Sequence, residues 1–115
     1  MGLYFENATP STVWVVYGHP STTPWCDAGW YKTGWYEIAP GSTAKVWSGW
    51  IGGHSFEYYA EDDFGHVWAG EDFTFVPWDT FNLCWEDQMF PGKTQGLRWF
   101  YVGGVYLDYT KRLVL

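Results

Sequence analysis

The sequence predicts an all-β fold, a single domain built as an antiparallel β-sandwich of two sheets. Three observations carry this. The apolar residues come in short runs of strand length and not in the longer stretches that a helix needs. Fourteen glycines are spread along the 115 residues and punctuate those runs. The 10 Trp, 9 Tyr and 8 Phe outnumber the 17 Ile, Leu and Val, so the core must be built largely from rings. Aromatic residues suit a pleated, half-buried surface. A chain of this length buries a real core in one domain, residues 1–115.

Each element follows from its local pattern. Leu3-Tyr4-Phe5 opens a strand that the turn at Asn7-Ala8-Thr9-Pro10 ends. Residues 12–17 (TVWVVY) are β-branched and aromatic without a break, which predicts a central strand. Gly18 to Pro24 is a polar loop with two prolines. Trp35 to Ile38 is a short strand stopped by Pro40-Gly41, where proline fixes φ and glycine allows φ > 0. Thr43 to Trp50 alternates. So does His54 to Ala60, with His54, Phe56, Tyr58 and Ala60 on one face and Ser55, Glu57 and Tyr59 on the other. Glu61 to Gly65 reads as a hairpin loop, His66 to Gly70 as its return, and Asp72 to Val76 as the next strand. Trp78 to Trp85 is the one helical candidate, with Asp79 as N-cap. Asp87 to Gly96 is a loop, and Leu97–Val102, Val105–Tyr109 and Arg112–Leu115 close the chain as strands.

Thirteen Asp and Glu against six Lys and Arg give a net charge of −7. That balance opposes binding to a phosphate backbone or docking on an anionic membrane, both of which need basic patches. No apolar run approaches the roughly 20 residues of a transmembrane span, so no membrane insertion is expected. The start lacks a basic segment followed by a long apolar one. An intracellular chain, or the mature part of a secreted precursor, is therefore expected. Cys26 and Cys84 leave two readings open. Paired, they would close a loop of 57 intervening residues, worth about 4 kcal/mol in the chain-entropy model. Without a visible export signal, two reduced thiols are at least as well supported.

Gly34-Trp35-Tyr36-Glu37-Ile38-Ala39-Pro40-Gly41, then Phe56 to Glu61 (FEYYAE), then Gly65-His66-Val67-Trp68-Ala69-Gly70 occur in that order. This chain resembles a bacterial domain-of-unknown-function family (DUF ten-thirty-six), which carries a Gly-Trp-aromatic-x-Ile-x-Pro-Gly segment, a Tyr-Ala-Glu strand end and a Gly-x-x-Trp-x-Gly return. The likeness covers about residues 3–85, with Phe5 to Thr9, Val13 to Gly18 and Phe81 to Cys84 adding to it. It departs in its cysteines: Ser42-Thr43 and Phe75 stand in regions where members carry further ones. The resemblance implies no activity.

Function must then come from the residues. The acidic hairpin offers Asp62, Asp63 and Asp72 as weak ligands for a metal, Ca²⁺ being the cation that oxygen ligands suit, but no EF-hand spacing is present and a solvated acidic turn is the better reading. No cofactor is expected. His19, His54 and His66 lack zinc spacing and read as isolated polar side chains. No nucleophile motif occurs, and a carboxylate pair for glycoside hydrolysis drawn from Glu57, Glu61, Asp62 or Asp63 needs a separation that sequence does not give. The aromatic excess is the stronger lead. Trp25, Trp30, Tyr31 and Trp50, with Asp27, are expected to form a ligand platform, while Trp14, Trp35 and Trp68 are expected to hold the sheets together. The expected function is a non-catalytic binding module for a carbohydrate or another ring-stacking ligand. The alternative is a protein–protein module or homo-oligomer whose aromatic patch is buried between subunits. A carboxylate-pair hydrolase is the third reading.

Overall fold

Ten strands make up the computed structural model, which describes residues 1–21 and 24–115, and no helix occurs among the described residues. They are β1 (Gly2–Asn7), β2 (Val13–Pro20), β3 (Trp30–Ile38), β4 (Thr43–Ser48), β5 (Ser55–Asp62), β6 (Val67–Trp68), β7 (Asp72–Pro77), β8 (Phe81–Cys84), β9 (Gly92–Tyr101) and β10 (Asp108–Leu113). A three-stranded sheet runs β10-β1-β4, and a seven-stranded sheet runs β7-β9-β5-β2-β3-β8 with β6 beside β5. All pairings are antiparallel except β1 with β10.

The unbroken apolar run in β2 has a direct cause. β2 lies between β5 and β3, and the large sheet is buried on both faces there. Val13, Val15 and Tyr17 enter the core between the two sheets, with Leu3 and Phe5 of β1 and Phe56 and Tyr58 of β5. Val16 points the other way, into a second core with Tyr59, Val76, Phe81 and Leu97. The split expected for β5 is found: Phe56, Tyr58 and Ala60 face the first core and Tyr59 the second. The Tyr17 hydroxyl donates to the Val46 carbonyl at 2.8 Å and ties β2 to β4 across the first core.

The second core exists because the large sheet curls. The first half of β9 pairs with β7 and its second half, Arg98 to Tyr101, pairs with β5. β7 is thereby carried over the outer face of the sheet. Two glycines permit the close approach at this bend: a Cβ on Gly96 would lie 2.2 Å from the Gly70 carbonyl oxygen. The register of β2 against β3 shifts between Val15 and Val16, leaving Trp35 as the extra residue. Gly34 is needed beside it, since a Cβ there would meet Val16 Cγ2 at 2.7 Å.

Several sequence expectations are corrected. Residues 78–85 are not helical. Phe81 is buried in the second core and Leu83 packs against it, and this period of two makes 81–84 an edge strand on β3. β3 begins at Trp30 and not at Trp35, which moves Trp30 and Tyr31 from a loop onto a strand. Gly92 to Gly96, expected in a loop, belongs to β9. Val105 to Leu107 lie outside any strand, and β10 starts at Asp108. Cys26 and Cys84 are not reduced: they form a disulfide, with Cα atoms 5.2 Å apart. Of the loop expected at 18–24, residues 18–20 belong to β2, and Thr22 and Thr23 lie outside the described residues.

Candidate functional site

Two tryptophan-lined clefts open on the curled face of the large sheet. The larger, about 660 Å³, is lined by Trp14, Trp35, Trp78, Glu37, Glu61, Asp79 and Thr80. Its floor follows from strand register. Trp14 on β2 is opposite Glu37 of β3 on one side and Glu61 of β5 on the other. Strands lie about 4.8 Å apart, so the two carboxylates flank the indole at roughly two strand spacings. Trp35, the bulge residue, forms a wall. Its Nε1–H donates to the Pro77 carbonyl at 2.9 Å and its ring meets Tyr59 edge-on at 6.1 Å. The Tyr59 hydroxyl donates to Glu61 Oε1 at 3.1 Å and so orients that carboxylate. Burial, and then the neighbouring Glu61, push the Tyr59 phenol far above its usual range, so it remains a donor. Trp78, 56% exposed, also lines the cleft, with the Lys93 ammonium 5.6 Å from its ring centroid.

The second cleft, about 320 Å³, is lined by Ala28, Trp30, Glu57, Asp72 and Trp85. Glu57 on β5 pairs with Gly18 of β2, and the missing side chain of Gly18 makes room for the Trp85 ring: a Cβ would sit 2.9 Å from Trp85 Cζ3. Trp85 and Trp30 meet edge-on at 6.3 Å. Asp72 starts β7 and is brought over β5 by the bend in β9. Glu57 is 7% exposed, and its Oε1 has no hydrogen-bond partner among the described residues. Burial first, then its contact with Asp72, raise its pKa to about 9.

That shift fixes the sign of a pH effect. The folded protein holds the Glu57 proton up to about pH 9, whereas an unfolded glutamate releases it near 4.5. Between these values the folded state binds more protons, so this group makes stability fall as pH rises, by at most about 1.4 kcal/mol per pH unit. Glu57→Gln, neutral throughout, is expected to match the wild type near pH 5 and to exceed it near pH 9. Urea unfolding of both proteins across that range checks this, and parallel stability curves would refute it.

The five residues expected to form one platform are dispersed. Trp30 and Tyr31 are consecutive on β3 and so point to opposite faces. Trp30 enters the second cleft, while Tyr31 packs on His19 at 5.6 Å, beside Tyr17 and Trp47. Trp25 and Trp50 are 75% and 50% exposed and line neither cleft. Asp27 is exposed, and its backbone N–H donates to Glu86 Oε2 at 2.8 Å. Of the indoles assigned to structure, Trp68 packs on the first core with its Nε1–H on the Val114 carbonyl at 3.0 Å. Trp35 packs on the second core and also lines the larger cleft, and Trp14 lines that cleft. Trp78, Glu37 and Asp79 of the larger cleft and Trp85 of the second escaped sequence reasoning because pairings between distant strands, and the connections at their ends, bring them to these clefts.

The acidic hairpin is held as a turn. Asp62 Oδ1 accepts the Phe64 and His66 backbone N–H groups at 2.9 Å each, and Oδ2 meets His66 Nδ1 at 2.7 Å. Asp62 is buried, Asp63 exposed, and Asp72 belongs to the second cleft. Among the described residues no three His, Cys, Asp or Glu side chains gather as a metal-ligand set. No family model, curated protein or solved structure matches this chain.

Proposed function

We propose that this protein is a non-catalytic binding module that takes a carbohydrate, or another ring-stacking ligand, in the Trp14–Trp35–Trp78 groove. The observation that supports it most is the Glu37–Trp14–Glu61 row, which lines one groove with the exposed indole of Trp78. A sugar ring carries an apolar C–H face and a rim of hydroxyls. The indoles suit the face, and the carboxylates and the Thr80 hydroxyl suit the rim. The groove volume lies within the usual range for small-ligand sites.

A glycosidase would need one carboxyl of a pair held protonated as the acid. The carboxyl that burial keeps protonated, Glu57, lies with Asp72 in the other cleft, so a carboxylate-pair hydrolase is a reading of that cleft and not of the Trp14–Trp35–Trp78 groove. The family likeness is part of the same proposal, carried by the order of its motifs, and Trp35 of its Gly-Trp segment becomes a groove wall.

Tryptophan fluorescence titration against a glycan panel tests the reading. Trp78→Ala is expected to weaken binding about tenfold or more while leaving the unfolding midpoint within error, because the ring lines the groove and is not a core residue. A monomeric protein whose fluorescence responds to no glycan would sink the carbohydrate assignment. The alternative, an oligomer or protein-binding module, draws on the exposed Trp99, Tyr101, Val105, Tyr106 and Leu107. Light scattering on dilution distinguishes it, since an oligomer would lose mass as it is diluted.

A further inference from the structure

We propose that the smaller cleft between Trp30 and Trp85 is a separate binding site for a small primary ammonium group, held by the carboxyl groups of Glu57 and Asp72 between the two indoles. A nearly buried carboxyl oxygen with no partner is costly, and Glu57 Oε1 has none among the described residues while its side chain lines an open cleft of about 320 Å³. The second carboxyl of the cleft, Asp72, hydrogen-bonds the Glu57 side chain, so the two share one proton and the pair still carries one negative charge.

The surrounding charges do not supply this pair with a cation. Lys32 lies one strand further across the sheet, beyond Gly18, but its ammonium is bound to Thr74 Oγ1 and to the carbonyls of Phe75 and Asp87. Glu86 accepts the Asp27 and Ala28 N–H groups. The partners of Glu57 on β2 and β9, Gly18 and Trp99, do not titrate.

Ligand class follows from the walls. Two carboxyls are too few for Ca²⁺, which takes six to eight oxygens. Indole faces attract organic cations. An ammonium N–H provides the donor that Oε1 lacks. In the empty site the Glu57 carboxyl is neutral, so entry of R–NH₃⁺ turns it into a carboxylate. The released proton goes to solvent, and the carboxylate pairs with the ammonium.

Calorimetry at neutral pH tests this with ethylammonium chloride as probe, in two buffers of different ionisation enthalpy. Saturable binding is expected, with a heat that differs between the buffers as release of close to one proton per site requires. Glu57→Gln is expected to weaken binding at least tenfold and to abolish the buffer dependence. Asp72→Asn, at an exposed position, is expected to weaken binding as well, and it carries the test should the Glu57 variant fail to fold. Nα-acetyl-lysine amide as a second titrant separates the sources: binding of both probes assigns a polypeptide lysine, and binding of ethylammonium alone assigns a free amine. No saturable heat with ethylammonium, equal binding of sodium or ethanol, or affinity unchanged in both variants would overturn the proposal.

Discussion

Replacing Lys32 with methionine is expected to destabilise the fold by about 2–4 kcal/mol, although methionine fills a similar volume. Lys32 has no exposed surface, a rare place for a lysine. Its ammonium donates to Thr74 Oγ1 at 3.0 Å, to the Phe75 carbonyl at 2.5 Å and to the Asp87 carbonyl at 2.6 Å. The Thr74 hydroxyl passes the chain on, donating to the Trp85 carbonyl at 2.6 Å. One side chain on β3 thus fastens β7 and the segment after β8, the two pieces that close the curled half of the large sheet. Burial lowers the lysine pKa, while Asp87 and then Glu86 oppose that shift.

Methionine would remove the donor and leave its acceptors in an apolar surrounding. That asymmetry, more than the mean value of a hydrogen bond, sets the size of the loss. Urea unfolding at neutral pH measures it. A loss below about 1 kcal/mol would show that the acceptors find water, and that the ammonium is not what closes the sheet.

The sequence made the sandwich legible where burial has a simple period. The run Val13 to Tyr17 reached its central strand, and the alternation of Phe56, Tyr58 and Ala60 against Tyr59 reached the correct faces. Pro40-Gly41 marked its turn, with Gly41 at φ +77°. What the sequence hid depends on pairings between distant strands. Lys32 and Glu57 look like surface residues of a polar stretch, and only the curl of β9 places β7 above them. Trp14 reads as a core residue of a central strand. It becomes a groove floor because Glu37 and Glu61 fall beside it in register. Edge strand β8 was hidden by its length: four residues carry too little alternation to outweigh the N-cap signal of Asp79. The platform expected around Trp30 and Tyr31 failed for the opposite reason, since a loop would have let both rings face one ligand and a strand forbids it.

Replacing both Cys26 and Cys84 with serine is expected to cost about 4 kcal/mol, read as a lower urea midpoint with a steeper slope, because the uncrosslinked denatured chain exposes more surface. The two cysteines are 58 positions apart, so the link removes a large share of the freedom of the unfolded chain. In the native state it fastens the loop before β3 to the end of β8. That junction also holds the Trp85 N–H on the Trp30 carbonyl at 2.9 Å and the Asp87 N–H on the Cys84 carbonyl at 3.0 Å. Glu86 adds its carboxylate to the Asp27 amide at 2.8 Å. None of these bonds uses either sulfur, so they survive the substitution, the serine pair should fold, and its loss should be mostly a matter of the unfolded state. The larger groove lies away from this junction, being lined by Trp14, Trp35 and Trp78, and glycan binding there is expected to persist in the serine variant. The Trp30–Trp85 cleft is built on the junction itself, so ethylammonium affinity is expected to fall with stability. A serine variant as stable as the wild type would mean that the unfolded chain is already confined around these positions without the crosslink.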